Sequence, residues 1–395
     1  MNTVKKLALA ASMTAALAAA PAMAQVQGVT DDEVVIGSNQ DMSGIFAAFG
    51  APAVKAAQLH FDEVNEAGGI HGRKIRFIVE DHGYQMPKAI AGMNKLVNGD
   101  RVFAMLLSLG TPMNIAAFKL QDAKNVPNVS PLSAARQMSE PLNRLHFSGT
   151  ANYYDQIKQG VEYLAAENGR KKVCSMSLPT DFGQEIVEGA KAAAEGLDGV
   201  DYVSETTHKP DDADFVGALT KLKNDGCDVI TMALGVRQAI TAYATARKIG
   251  MSAEDVDFLN SSAGFHSVIA KVPGGVTDGL YAGAGWTDIL PRMDDPDVQK
   301  FAKRYTEASG EQFPGTGAVL GHSAAVVLTK ALEEAGPDLT TDSFIAAMEK
   351  LDFKDPISDN QVDYSAEDRV GADEVIISQV KDGDWQVVKR LEAGS

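Results

Sequence analysis

From Glu33 onward, short runs of β-branched and apolar residues alternate with longer stretches whose apolar positions recur every three or four residues. That alternation is what a parallel sheet wrapped by helices requires. The first unit predicts a strand at Val34–Gly37, a loop through Asp41, Met42, Ser43 and Gly44, and a helix over Phe49–Glu66 that Gly68 and Gly69 terminate. Strands follow at 74–80, 102–108 and 126–130, with helices at 87–98 and 112–124.

A second series opens near Ala151 with a helix to Asn168. It continues with strands at 172–178, 201–207, 228–233 and 256–260 and helices at 183–195, 214–224 and 237–249. Two βα series in succession imply two lobes. The rest is too sparse for a third core. It holds a strand at 279–283, helices at 296–309, 317–335 and 342–350, and two terminal strands at 373–381 and 385–389 around the turn Asp382, Gly383, Asp384. The economical layout assigns 25–150 plus 279–355 to lobe 1 and 151–278 plus 356–395 to lobe 2, so the chain crosses three times and forms a hinge.

The first 24 residues change the picture, because they carry the parts of a secretory leader in order. Lys5 and Lys6 precede an apolar stretch, Leu7–Ala20, which is short for a membrane span and ends in Ala22, Met23, Ala24. Cleavage then leaves Gln25 first in a periplasmic chain, and no cysteine follows to carry a lipid. The leader takes two lysines with it, moving the formal charge from −17 to −19. So acidic a surface disfavours nucleic acid and anionic lipid and suits a soluble monomer.

The seven histidines lack metal-ligand spacing, His60, His71 and His82 included, and no metal or cofactor is expected. Cys174 lies in one apolar run and Cys227 just ahead of another. A disulfide requires those strands to be neighbours; buried free thiols are the expected state.

Ligand loops in open parallel sheets lie beyond the carboxyl ends of the strands. The richest is Ser108, Leu109, Gly110, Thr111, Pro112, where a capping hydroxyl, a proline at the first helical position and free N–H groups make an anion cradle. Ser130, Pro131, Leu132, Ser133 and Ala134 repeat the arrangement, and Pro179–Gly183, Leu234–Val236 and Ser261–Gly264 face them from the second series. Nucleophile elbow, Walker loop and zinc-protease pair are all missing, and Gly68, Gly69 and Gly72 follow a helix rather than a strand, the reverse of a dinucleotide fingerprint.

With Met42, Ser43 and Gly44, the segment VNEAGGIHGR at 64–73, SLGTP at 108–112 and TDFGQ at 180–184, the chain resembles the leucine/isoleucine/valine-binding family across nearly its whole mature length. These are the type I periplasmic solute receptors of ATP-binding-cassette transporters. The resemblance implies two Rossmann-like lobes closing as a Venus flytrap, and delivery of a small carboxylate-bearing ligand to an inner-membrane permease. It places the ligand carboxylate at Ser108 and at Leu132, Ser133 and Ala134, beside the Thr111 cap already singled out, and aromatic contacts at Phe49, Tyr154 and Phe182. Asp181, Leu234 and Ser262 complete the candidate site.

Two departures point away from a plain amino acid. The family's ligand-holding threonine falls at Ala134, and its ammonium-pairing acid falls at Ser262. SLGTP is closer to a branch whose ligands include aromatic and other organic acids. A ligand-sensing regulator on the same fold is the alternative, and an enzyme ranks below both. Intact mass of the periplasmic protein checks the leader: the expected species starts at Gln25 without a lipid adduct, and a retained leader contradicts it.

Overall fold

The computed structural model describes residues 26–372 and 374–392. The expected leader, its cleavage point at Gln25 and the strand start at Asp373 lie outside them.

The first lobe is built on β1 (Glu33–Gln40), β2 (Lys74–Asp81), β3 (Ala104–Leu106), β4 (Asn128–Val129) and β5 (His146–Phe147), with α1 (Ala47–Glu66), α2 (Met86–Asn94) and α3 (Thr111–Lys124) between them. Its sheet runs β2-β1-β3-β4-β5 with every pair parallel. β1 sits inside the sheet and is buried from Val34 to Gln40, as a strand covered on both faces must be.

The second lobe contains α4 (Tyr153–Asn168), β6 (Lys172–Ser177), α5 (Asp181–Gly196), β7 (Asp201–Thr207), α6 (Val216–Asn224), β8 (Val229–Ala233), α7 (Val236–Lys248), β9 (Asp257–Asn260), α8 (Ser267–Ala270) and β10 (Tyr281–Ala284). Side chains fix where its helices start: Asn152 accepts the Asp155 N–H ahead of α4, and Thr180 accepts the Gly183 N–H ahead of α5.

The chain then adds α9 (Pro296–Ser309), α10 (Thr316–Ala335), α11 (Thr341–Met348) and the hairpin of β11 (Asp352–Asp355) and β12 (Asn360–Asp363). It finishes with β13 (Glu374–Lys381) and β14 (Asp384–Glu392). The second sheet runs β14-β13-β10-β9-β8-β6-β7, antiparallel only at β10-β13 and β13-β14.

Two crossings fall later than the sequence suggests. The strand expected at 279–283 is β10, which pairs with β9 and β13, so the return to the first lobe follows Ala284 rather than Gly279. The β11–β12 hairpin stays with the first lobe, where Val362 and Tyr364 join its core. The last crossing is therefore near Arg369–Ala372, tied to the first by Ser148 N–H donating to Arg369 O and Gly371 N–H donating to Ser148 O. At Gly285 in the middle crossing, a Cβ would sit 2.4 Å from Thr150 Oγ1 and 3.4 Å from Ala372 Cβ. All three linkers thus lie side by side.

The cysteines also differ from expectation: Cys174 and Cys227 form a disulfide. The strand order supplies the reason. β7 follows β6 in sequence but takes the sheet edge, leaving β6 beside β8, and the segment entering β8 brings Cys227 to a Cα–Cα distance of 5.9 Å from Cys174. The bridge closes a 53-residue separation. Replacing both cysteines by alanine should lower unfolding free energy by about 2–4 kcal/mol in urea titration. A change near zero would show that the bridge constrains nothing.

Candidate functional site

The carboxyl ends of β3, β4 and β5 open onto a cavity, about 950 Å³ with the solvent at its mouth included, that the second lobe covers. At its first-lobe wall, Gly110 takes φ +99° just ahead of α3, a conformation that suits glycine; a Cβ there would also meet Met113 Sδ at 2.9 Å. The chain turns there so that α3 begins with its N-terminus toward the cavity. Asn114 N–H returns to Gly110 O, and Pro112 has no N–H, which leaves the Thr111 and Met113 amides without an acceptor among the described residues. The Thr111 and Ser133 hydroxyls meet at 2.8 Å. Ser108 is buried, and its hydroxyl has no partner among the described residues.

Rings close the mouth. Phe46 stacks at an angle on Tyr84, with centroids 4.9 Å apart, and meets Phe182 edge-on at 5.9 Å; Tyr153 meets Phe182 at 5.2 Å. Phe46 and Tyr84 come from the first lobe, Phe182 and Tyr153 from the second. Burial pushes the Tyr153 phenol up to about 12 and the Tyr84 phenol higher still, so both are neutral hydroxyls at physiological pH. No charged side chain lines the cavity among the described residues.

Of the residues singled out from sequence, Phe49, Thr111, Leu132, Ser133, Ala134, Phe182 and Ser262 line this cavity. Ser108 lies buried between two lining residues, Leu107 and Leu109, without itself joining the wall. Three others are elsewhere. Tyr154 packs under the Arg136 guanidinium, 4.1 Å from its ring centroid, because the Asn152 cap starts α4 at Tyr153 and it is Tyr153 that faces the cavity. Asp181 is exposed on the first turn of α5, and Leu234 is in the second lobe's core. Ser262 carries no charge in place of the family's acid, and its N–H is already donated to Gln156 Oε1 at 2.7 Å.

Sequence reading missed Tyr84, Trp286 and the α10 face that carries Leu320, Ala324 and Val327. Tyr84 was findable: it follows the carboxyl end of β2, where the strand-end rule applies. The α10 positions read as ordinary core spacing.

The lobes are latched across the cleft. Arg136 of the first lobe binds Glu185 through both Nε and Nη2, and also Glu188, both on α5. On the other flank, His266 of the second lobe accepts the Val268 N–H at Nδ1 (3.1 Å), which leaves Nε2 to donate to Ala48 O of α1 at 3.1 Å. Its ring meets Phe49 edge-on at 4.7 Å.

Two α/β lobes on three parallel linkers, closed over an uncharged interior chamber, define a bilobal ligand-enclosing protein. The chain belongs to the periplasmic binding protein family, whose model matches residues 33–384, and the resemblance to its leucine/isoleucine/valine-binding members holds. An amino acid binding protein of Pseudomonas aeruginosa is 26% identical over 198 residues, 50% of this chain and 53% of that one, so the match spans about half the relative's length. The fatty acid ABC transporter substrate-binding protein from Thermomonospora curvata superposes with a TM-score of 0.83 at 25% identity, covering 94% of this chain and 95% of the other. A branched-chain amino acid ABC transporter protein from Thermus thermophilus with bound valine gives 0.82 at 19% identity, with 92% and 97% covered.

Burial pulls the His266 imidazole down to about 4. A lowered value means that the contribution of His266 to closure is complete above the ordinary histidine value near 6.5 and drains away as pH falls toward about 4. Small-angle scattering should show a larger radius of gyration at pH 5 than at pH 7, and His266→Gln should flatten that difference. Equal pH dependence in both proteins would remove His266 from the latch.

Proposed function

We propose that this chain is a solute receptor rather than an enzyme, enclosing a monocarboxylate with an apolar body and no α-ammonium. It acts in the periplasm and presents its closed form to the permease of an ATP-binding-cassette importer. One observation carries the ligand reading: the described residues around the cavity are apolar, hydroxylic or amide-bearing, and none of them is charged. An amino acid's ammonium would be buried there without a counter-charge, at a cost of several kcal/mol. A single carboxylate fares better. The Thr111 and Ser133 hydroxyls and the free amides at the start of α3 offer hydrogen bonds to it, and the helix dipole favours its charge.

The same wall argues against catalysis. Its titratable groups are phenols held neutral, which gives no acid and base pair of matched strength. That the structurally similar Thermomonospora curvata protein is a fatty acid receptor agrees with an apolar-bodied acid.

Calorimetry with leucine, 4-methyl-2-oxopentanoate, benzoate and octanoate tests the proposal. Acids lacking the ammonium should bind, and leucine should not. Thr111→Val should weaken the bound acid by about 1.5–3 kcal/mol, roughly ten- to a hundredfold in Kd. Tight binding of leucine with no binding of the acids would make the protein an amino-acid receptor and overturn the reading.

A further inference from the structure

We propose that the ligand's tail leaves the interlobe cleft and enters the interior of the first lobe, between α10 and the sheet, so that the receptor selects elongated alkyl chains by length. This rests on the carboxylate reading above. Along the cavity, the wall changes from one hydrophobic core to another. Phe46, Leu109, Tyr153 and Phe182 belong to the core that spans the cleft and the second lobe. Leu107, Ala324, Val327 and Val362 belong to the core of the first lobe. Leu132 packs against both. The cavity is therefore not confined to the space between lobes.

Protein cores are close-packed, and a cavity whose wall continues from the cleft into one is an exception calling for an occupant. On α10 the wall runs from Leu320 through Ala324 to Val327, seven residue steps or roughly 10 Å of helix. An occupant filling that stretch of α10 is longer than a leucine side chain.

Its far end meets few free polar groups. The Ser358 hydroxyl donates to Asp355 at 2.6 Å, Ser323 donates to the same carboxylate, and the Asn360 amide donates to Gly149 O and Gly371 O at 3.4 and 3.3 Å. These three side chains are already engaged; the Tyr364 hydroxyl on the same wall has no partner among the described residues, and one phenol does not replace the hydration of a second carboxylate.

The experiment is calorimetry with straight-chain acids from butanoate to dodecanoate and with the matching 1-alkanols. The proteins are wild type, Val327→Phe and Leu320→Phe, the last at a partly exposed position that leaves the first lobe's core intact. In the wild type, affinity should climb about fourfold per methylene and then level off. In the variants it should level off at a shorter chain, with the longest acids losing the most affinity. If the alkanols show the climb while no acid binds, the chamber stands and the carboxylate reading fails. If neither series gains affinity with length, or if both variants weaken all lengths alike, the tail chamber is overturned even where benzoate binds.

Discussion

The close approach of α1 and α10 is the constraint on which the site depends. At Gly321 a Cβ would lie 2.1 Å from Ala53 O, and at Gly317 2.4 Å from Phe49 O, so α10 rests directly on the backbone of α1. Any larger residue would push the helices apart or distort the chain. Two consequences follow from this one contact. The start of α1 is fixed beside the start of α10, which places Phe46 and Phe49 at the cleft and lets Ala48 O meet His266. The neighbouring face of α10, with Leu320, Ala324 and Val327, is held over the carboxyl ends of the strands, where it forms a wall instead of collapsing onto the sheet.

Charge is distributed in keeping with that geometry. The chain carries a formal −17, yet among the described residues the cavity wall contains no ionised side chain. Ion pairs occur at the rim, where Arg136 with Glu185 and Glu188 ties the lobes together. Glu185 is nearly fully buried, so losing Arg136 would strand a carboxylate at the interface. Inside, hydroxyls and amides supply directionality without a desolvation cost as large as that of a buried ion. A chamber of this kind discriminates mainly against charge in the wrong place and against excess volume.

The sequence disclosed the repeating βα units, the two lobes and the strand-end loops because each rests on local pattern: β1 is a continuous buried run, and Thr111–Pro112 is a helix start by chemistry alone. What it hid depends on relations between distant segments. The disulfide follows from β8 lying next to β6, an order that spacing does not encode. The two-residue β5 and the β11–β12 hairpin are too short for any periodicity. Tyr153 and Tyr154 differ by one position, and only the Asn152 cap sets which of them faces the cavity. The α10 wall was illegible because apolar residues lining a chamber have the same spacing as apolar residues filling a core.

If the tail occupies the first lobe, the two ends of the ligand have different thermodynamic roles. A ligand shifts the open–closed equilibrium only through contacts that differ between the two states. The inner chamber is built from α10, β3, β4 and the β11–β12 hairpin, all in the first lobe, so tail contacts form whether the lobes are apart or together. They raise affinity without driving closure. The contacts that exist only in the closed form involve Tyr153, Phe182 and Ser262 of the second lobe, which meet the polar end and the first part of the chain. Chain length then sets how tightly the ligand is held, and the headgroup end sets whether the lobes shut. A permease that recognises the closed form would in consequence respond to the headgroup, even while the first lobe gathers chains of several lengths.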